Sequence, residues 1–325
     1  MSGAWKGRTC LVTGATGFLG GSLVAELLAQ GAEVVALVRD LVPQSRFQAE
    51  GLTSRAKVVR GVLEDYDVIE RALNEYAVDT VFHLAAQAIV GVANRSPLST
   101  FEANIKGTWV LLEACRRVGT VERIVIASSD KAYGDHAVLP YHEDFPLQGR
   151  HPYDVSKSCA DLIALSYAQT YRLPVAITRC GNLFGPGDLN VNRIVPGTCL
   201  AAIDGQRPVI RSDGSPVRDY VFVEDIVRAY LLLADHIGDH GVVGRAFNFG
   251  TGEPVSVLEL TRRTLAAAGR GDLEPDMRNN AHGEIQAQYL SSTLAAEKLG
   301  WAPGAGLDAR LAQTANWYRE HRHFF

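Results

Sequence analysis

The sequence predicts an α/β chain, a doubly wound parallel sheet followed by a smaller C-terminal domain. Three observations predict it. Short β-branched runs alternate with helical patterns through the first half of the 325 residues, and strands joined through helices lie parallel. The runs 34–38 and 124–127 are apolar almost without interruption, as strands covered on both faces are. Beyond Gly181 the texture changes: Gly, Pro and Asn gather in 182–192, and shorter, mixed segments follow.

Taken in order, residues 9–12 read as a strand, 20–30 as a helix, and 33–38 and 57–60 as strands. Residues 66–76 follow as a helix, 80–83 as a strand, 100–118 as a long helix and 123–128 as a strand. The helix 153–171 and the strand 174–178 complete the series. Two later runs, 219–223 and 246–249, are expected to rejoin the main sheet. The division is then discontinuous: residues 1–181 with about 219–249 form the sheet domain, and 182–218 with 250–325 form the smaller one.

Composition narrows the class. The chain is 47% hydrophobic and 21% charged, with a net charge of −4, so it has a globular core and no basic excess to attract nucleic acid. Five cysteines, at 10, 115, 159, 180 and 199, have no metal-ligand spacing; reduced thiols in a cytoplasmic protein with no metal are expected. Cys159 and Cys180 read as buried small hydrophobes. Residues 1–8 lack the apolar stretch of a leader, and no apolar run is long enough to span a bilayer, so no membrane partner is expected.

The chemistry begins after the first strand. Gly14, Thr16, Gly17, Phe18, Leu19 and Gly20 form a G-x-x-G-x-x-G turn opening a helix. Glycines there let a pyrophosphate approach the backbone, and the helix N-terminus offers free N–H groups and a positive dipole end, as in a Rossmann-type dinucleotide site. The second strand ends in Val38 and Arg39. An arginine at that edge suits a 2′-phosphate, so NADP is expected in preference to NAD.

The second signal is Tyr153-Asp154-Val155-Ser156-Lys157. Residues four apart share a helix face, so the Lys157 ammonium is expected to favour the Tyr153 phenolate and lower its pKa toward neutrality. A phenolate so placed takes a proton from an alcohol as hydride leaves for a nicotinamide. Ser128 and Ser129 end a preceding strand, where a hydroxyl can orient the same alcohol.

These motifs resemble the extended short-chain dehydrogenase/reductase family, the NAD-dependent epimerases and dehydratases. Besides the glycine turn and the Tyr153/Lys157 pair, the resemblance rests on His83-Leu84-Ala85-Ala86-Gln87, Arg179-Cys180-Gly181-Asn182 and Gly185-Pro186-Gly187. It continues through residues 217–225, Asn248-Phe249-Gly250-Thr251-Gly252 and Leu299-Gly300-Trp301-Ala302-Pro303, so it covers nearly the whole chain. It implies a nucleoside-diphosphate sugar as substrate and a homodimer paired through the two long helices in a four-helix bundle. It places Leu84, Ala85 and Ala86 at the cofactor. It places Gln87, Asn104, Asn182, Arg193 and Arg218 at the substrate, where amides and cations suit a diphosphate.

Ser129-Asp130-Lys131 discriminates within the family, because it is similar to the triplet of CDP-glucose 4,6-dehydratases. Oxidation at C4 acidifies the C5 proton; Asp130 would protonate the departing C6 hydroxyl and Lys131 would take the C5 proton or steady the enolate. The implied reaction is a 4,6-dehydration of CDP-glucose or GDP-mannose type. A 4-epimerase is the alternative enzyme, and a non-catalytic sensor of the cofactor is the alternative of another class. The chain departs from the family's pattern in places: Val62 instead of an acid after Gly61, and His282-Gly283-Glu284 where many members carry Arg-Pro-Gly-acid. Arg218-Asp219-Tyr220 is closer to epimerases and GDP-mannose dehydratases than to the CDP-glucose branch.

Overall fold

The computed structural model describes residues 4–280 and 285–325, and the His282-Gly283-Glu284 departure lies outside them. Seven strands form one parallel sheet: β1 (Thr9–Thr13), β2 (Glu33–Val38), β3 (Lys57–Arg60), β4 (Thr80–His83), β5 (Arg123–Ala127), β6 (Val175–Cys180) and, after β7 (Asn182–Phe184), β8 (Val209–Ile210), β9 (Val217–Arg218) and β10 (Tyr220–Phe222), the strand β11 (Arg245–Phe249). Their order is β11-β6-β5-β4-β1-β2-β3, which reverses direction between β1 and β4. Ligands of such sheets bind in the crevice at that switch point.

Period-2 alternation sends successive side chains to opposite faces, and both faces are apolar. Cys10, Val12, Val34, Ala36 and Val125 pack on the side of the helices Phe18–Ala29 and Val223–Asp235. Leu11, Val35, Leu37, Ile124 and Ile126 pack on the side of Tyr66–Glu75, Gly107–Val118 and Pro152–Tyr171. Helices therefore cover the sheet on both sides. A third cluster gathers Phe184, Val195, Tyr220, Phe222, Leu260, Leu311 and Tyr318 from the later chain.

Two expectations change. Ala246–Phe249 does rejoin the main sheet, as the body of β11 beside β6, but the run 219–223 does not. Its strand β10 pairs in parallel with β7 as a separate two-stranded sheet. The β6 edge is already occupied by β11, and the chain leaves that edge at Gly181; Asn182 N then bonds the Asp219 carbonyl at 2.8 Å. The long helix expected over 100–118 starts earlier and is not uniform: Pro97–Phe101 and Gly107–Val118 flank a π turn, Glu102–Lys106. Such turns recur at functional sites.

Two smaller strands complete a three-stranded sheet, β12 (Val255–Ser256), β9 and, after β13 (Asp276–Met277), β14 (Ala287–Gln288), in the order β12-β9-β14. Among the described residues, no helix is long and apolar enough to cross a membrane, and no cluster of three His, Cys, Asp or Glu is placed to hold a metal.

Candidate active site

At the switch point a cavity of about 560 Å³ opens along the ends of β1, β2, β4, β5 and β6. Its first wall is the glycine turn. Gly14 takes φ +74°, a backbone conformation that side chains disfavour, and Gly17 N closes on Gly14 O at 2.9 Å. A Cβ on Gly20 would stand 2.0 Å from Gly14 O, and one on Gly14 2.8 Å from Ala85 N, so both positions exclude any side chain. The helix Phe18–Ala29 that follows has neither a capping side chain nor an acid in its first turn. Its leading N–H groups and positive dipole end are thus open to an anion on the cavity wall.

The floor is polar and internally matched. Thr13 Oγ1 accepts the amides of Leu84 and Ala85, each at 3.1 Å, and meets His83 Nδ1 at 2.9 Å. His83 Nε2 meets Thr108 Oγ1 at 3.0 Å. Burial and the Lys157 charge pull the His83 pKa down to about 3, so the ring is neutral. By contrast, the hydroxyl of Ser128, at the end of β5, is buried at the cavity and has no partner within the protein. A buried hydroxyl left open is a donor and acceptor reserved for something that enters.

The opposite wall carries Ser129, Asp130, Lys131, Tyr153 and Lys157. Ser129 ends the strand region in extended backbone, and its Oγ caps the short turn Asp130–Tyr133 by accepting Lys131 N at 3.2 Å. It also donates to Asp130 Oδ1 at 3.1 Å and hydrogen-bonds the Tyr153 phenol. Asp130 is buried, and its Oδ2 pairs with Lys131 Nζ at 3.2 Å. Lys157 Nζ donates to the Ala127 carbonyl at 2.7 Å.

The expected lowering of the Tyr153 pKa is corrected by this geometry. Burial pushes the phenol up to about 12; the Ser129 hydrogen bond and Arg193 oppose that rise, while Asp130 and Asp154 add to it. The Lys157 amine is engaged with a backbone carbonyl, and burial pulls it down to about 8. Tyr153 thus rests as the protonated phenol.

The turn bearing Asp130 and Lys131 is anchored from behind. Arg179 forms two bonds to the fully buried Asp161, at 2.8 and 2.9 Å, and donates to Tyr133 Oη at 2.8 Å. Tyr133 in turn donates to Asn248 Oδ1 at 2.7 Å. Strand β6, helix Pro152–Tyr171, the turn and β11 therefore meet in one buried polar network.

Of the other residues singled out in the sequence, Thr16, Phe18, Leu19, Arg39, Leu84, Ala85, Ala86, Asn182 and Arg193 line the same cavity. Gln87, Asn104 and Arg218 do not, and each makes a hydrogen bond elsewhere. Asn104, in the π turn, accepts Gln87 N at 2.7 Å and donates to Ser156 Oγ at 2.9 Å. The Gln87 side chain accepts Ile89 N at 3.2 Å. Arg218 donates to the Val217 carbonyl at 2.8 Å. Cys180 is buried at the cavity, while Cys159 is only partly buried.

Three residues escaped the sequence reading. Asp40 and Glu64 line the cavity beside Arg39 and after Gly61, and Gln288 reaches the Asp130 turn from β14. Asp40 bears on the cofactor expectation, because an acid at this edge suits ribose hydroxyls; its carboxylate meets Arg39 Nε at 2.7 Å in an exposed pair.

A family model described as the NAD dependent epimerase/dehydratase family matches residues 10–250. The chain is 33% identical over 318 residues to the UDP-glucose 4-epimerase of Mycolicibacterium smegmatis, covering 95% of this chain and 98% of that one. It is 30% identical over 331 residues to the CDP-glucose 4,6-dehydratase of Salmonella typhimurium, covering 97% and 91%. Among solved structures, a dTDP-glucose 4,6-dehydratase from Streptomyces venezuelae with NAD and TYD bound superposes with a TM-score of 0.86 at 29% identity, covering 98% of this chain and 99% of that one.

Proposed function

The chain belongs to the NAD dependent epimerase/dehydratase family, and on that premise we propose that it is a sugar-nucleotide 4,6-dehydratase. It converts a nucleoside-diphosphate hexose, of CDP-glucose or GDP-mannose type, to the 4-keto-6-deoxy sugar. The observation that carries this reading is the Asp130–Lys131 pair on the cavity wall beside Ser129 and Tyr153. A 4-epimerase needs a phenol at C4 and no further acid–base pair.

The cofactor we assign is NAD. The open helix N-terminus fits its pyrophosphate, Asp40 fits its ribose, and the open Ser128 hydroxyl fits a polar group on the floor. When bound, the oxidised nicotinamide supplies a positive charge and a reversible store for one hydride. Tyr153, as the phenolate that such a positive charge would favour, takes the C4 hydroxyl proton, with Ser129 fixing that hydroxyl. Lys131 takes the C5 proton, acidified by the neighbouring ketone. Asp130 delivers a proton to the C6 oxygen, which leaves as water; C6 then takes back the stored hydride and C5 the proton held by Lys131. Asn182 and Arg193 hold the diphosphate.

We assign the protein a cytoplasmic place and a homodimer. Leu162 is 58% exposed and Trp109 43% exposed, on helices that pack side by side. Pairing with a second copy would bury both.

The experiment is incubation of the purified protein with CDP-glucose, GDP-mannose and UDP-glucose, with mass analysis of sugar products and of the dinucleotide released on denaturation. A 4-keto-6-deoxy product that disappears in Asp130→Asn supports dehydration. The similarity to the Mycolicibacterium epimerase favours a second reading, for which a C4 epimer surviving Asp130→Asn is the expected result. Binding without turnover identifies a cofactor sensor.

A further inference from the structure

Gln288 is fully buried on β14, and its amide is engaged at both ends. Nε2 donates to the Asp130 carbonyl at 2.9 Å, and Oε1 accepts from Lys131 Nζ. Its strand is fixed independently of that contact. On one side Ala287 and Gln288 register with Val217 and Arg218 of β9. On the other, Tyr141 N bonds Tyr289 O and Ser291 N bonds Tyr141 O, each at 2.9 Å.

We propose that Gln288 is the positioning residue of the C5 deprotonation, setting the direction in which the Lys131 amine exchanges its proton. This rests on the dehydratase reading. An ammonium has three N–H bonds; a neutral amine has two and a lone pair. Gln288 Oε1 and Asp130 Oδ2 accept two of them. The third position, N–H or lone pair, is directed away from both acceptors, and the Lys131 side chain, 22% exposed, lines the cavity. With the one proton of the pair on Asp130, Lys131 is the neutral amine and takes the C5 proton without breaking its hydrogen bond to Gln288. The C5–H electrons enter the enolate, the C6–O bond breaks as they move on, and the oxygen departs as water with the Asp130 proton. A neutral amide suits this task because it orients the amine without adding a second carboxylate that would hold it charged.

Gln288→Met, of similar length and apolar, tests it. Wild-type protein must first yield the 4-keto-6-deoxy product; if it does not, the dehydratase reading fails and this inference with it. Given that product, the variant is expected to keep KM and to keep the rise in reduced-nicotinamide absorbance on mixing with substrate. Product formation and deuterium uptake at C5 from solvent should fall on the order of 100-fold, the cost of a misplaced reacting group. In a Lys131→Met background the same substitution should add nothing. Gln288→Leu serves the same cycle where Gln288→Met does not fold. An unchanged C5 exchange rate overturns the proposal. So does an equal loss of the C4 oxidation step, or an effect that persists without Lys131, since either marks Gln288 as a support of the fold alone.

Discussion

Replacing Arg179 by methionine removes the cation at the centre of the network behind the Asp130 turn. Arg179 and Asp161 are 3% and 0% exposed, so the surviving carboxylate stays buried without a counter-charge. The substitution deletes two charge-assisted bonds to Asp161, at 2.8 and 2.9 Å. At about 1.5–3 kcal/mol each, these give about 3–6 kcal/mol. The general cost of breaking a buried pair from one side, about 3–5 kcal/mol, agrees. Thermal unfolding should shift down by about 6–10 °C at roughly 2 °C per kcal/mol for a large domain. The cost comes from the stranded charge, so removing both charges should restore most of the stability. Asp161→Leu with Arg179→Met is expected within about 2 kcal/mol of wild type, since apolar pairs of similar volume replace buried ion pairs at little net cost. Tyr133 keeps its bond to Asn248 in that double variant. Urea denaturation of the four proteins measures the cycle. A double variant as unstable as Arg179→Met, or a single variant within about 1 kcal/mol of wild type, refutes the reasoning.

Two further outcomes are expected. His83 has a folded pKa near 3 against an ordinary 6.5. Between those values the unfolded chain binds a proton that the folded chain does not, so stability falls as pH falls through that window, by about 1.4 kcal/mol per pH unit. His83→Gln should flatten the slope of urea-derived stability between pH 6 and pH 4 by about that amount; identical slopes would dismiss the assignment. Leu162→Glu should convert a dimer into a monomer in sedimentation equilibrium, with little loss of monomer stability because Leu162 is exposed. A wild-type monomer at micromolar concentration would remove the basis for it.

How far the sequence could be read depended on how local each signal was. The sheet was legible because each strand announces itself within four to six residues, and the glycine turn because its spacing sits directly after β1. Tyr153 and Lys157 were legible as a pair because one helix carries both. Run 219–223 was legible as a strand but not as to its partner: Tyr220 and Phe222 belong to the third cluster while Val221 faces the first, and apolar residues on both faces suit either sheet. Arg39 was visible, but the acid beside it at the same edge, Asp40, was passed over. Gln288 left no signal at all, standing 157 residues from Lys131 on a two-residue strand. Asn104 was singled out as a substrate contact, whereas its side chain here meets Gln87 and Ser156, and a π turn inside a helix has no periodicity of its own to announce that.

That π turn explains why His83 must be neutral for the cavity to keep its shape. Thr108 Oγ1 donates to the Asn104 carbonyl at 2.7 Å, so toward His83 it can only accept, and Nε2 must carry the proton. Nδ1 is then an acceptor, and the Thr13 hydroxyl donates to it at 2.9 Å. With its hydrogen turned to the ring, Thr13 presents its lone pairs to the amides of Leu84 and Ala85. Asn104 carries the same chain onward through Ser156 to the Tyr153 carbonyl at 2.7 Å. A second proton on His83 would make Nδ1 a donor, turn the Thr13 hydroxyl around and set it against the two amides that shape the cofactor side of the cavity. Acid should therefore loosen the 84–85 turn before the sheet unfolds. Hydrogen exchange at those two amides should accelerate as pH falls from 4 through 3 relative to the amides of β1, once both are corrected for intrinsic rate. Equal protection of the turn and of β1 across that range would show that Thr13 does not depend on the tautomer of His83.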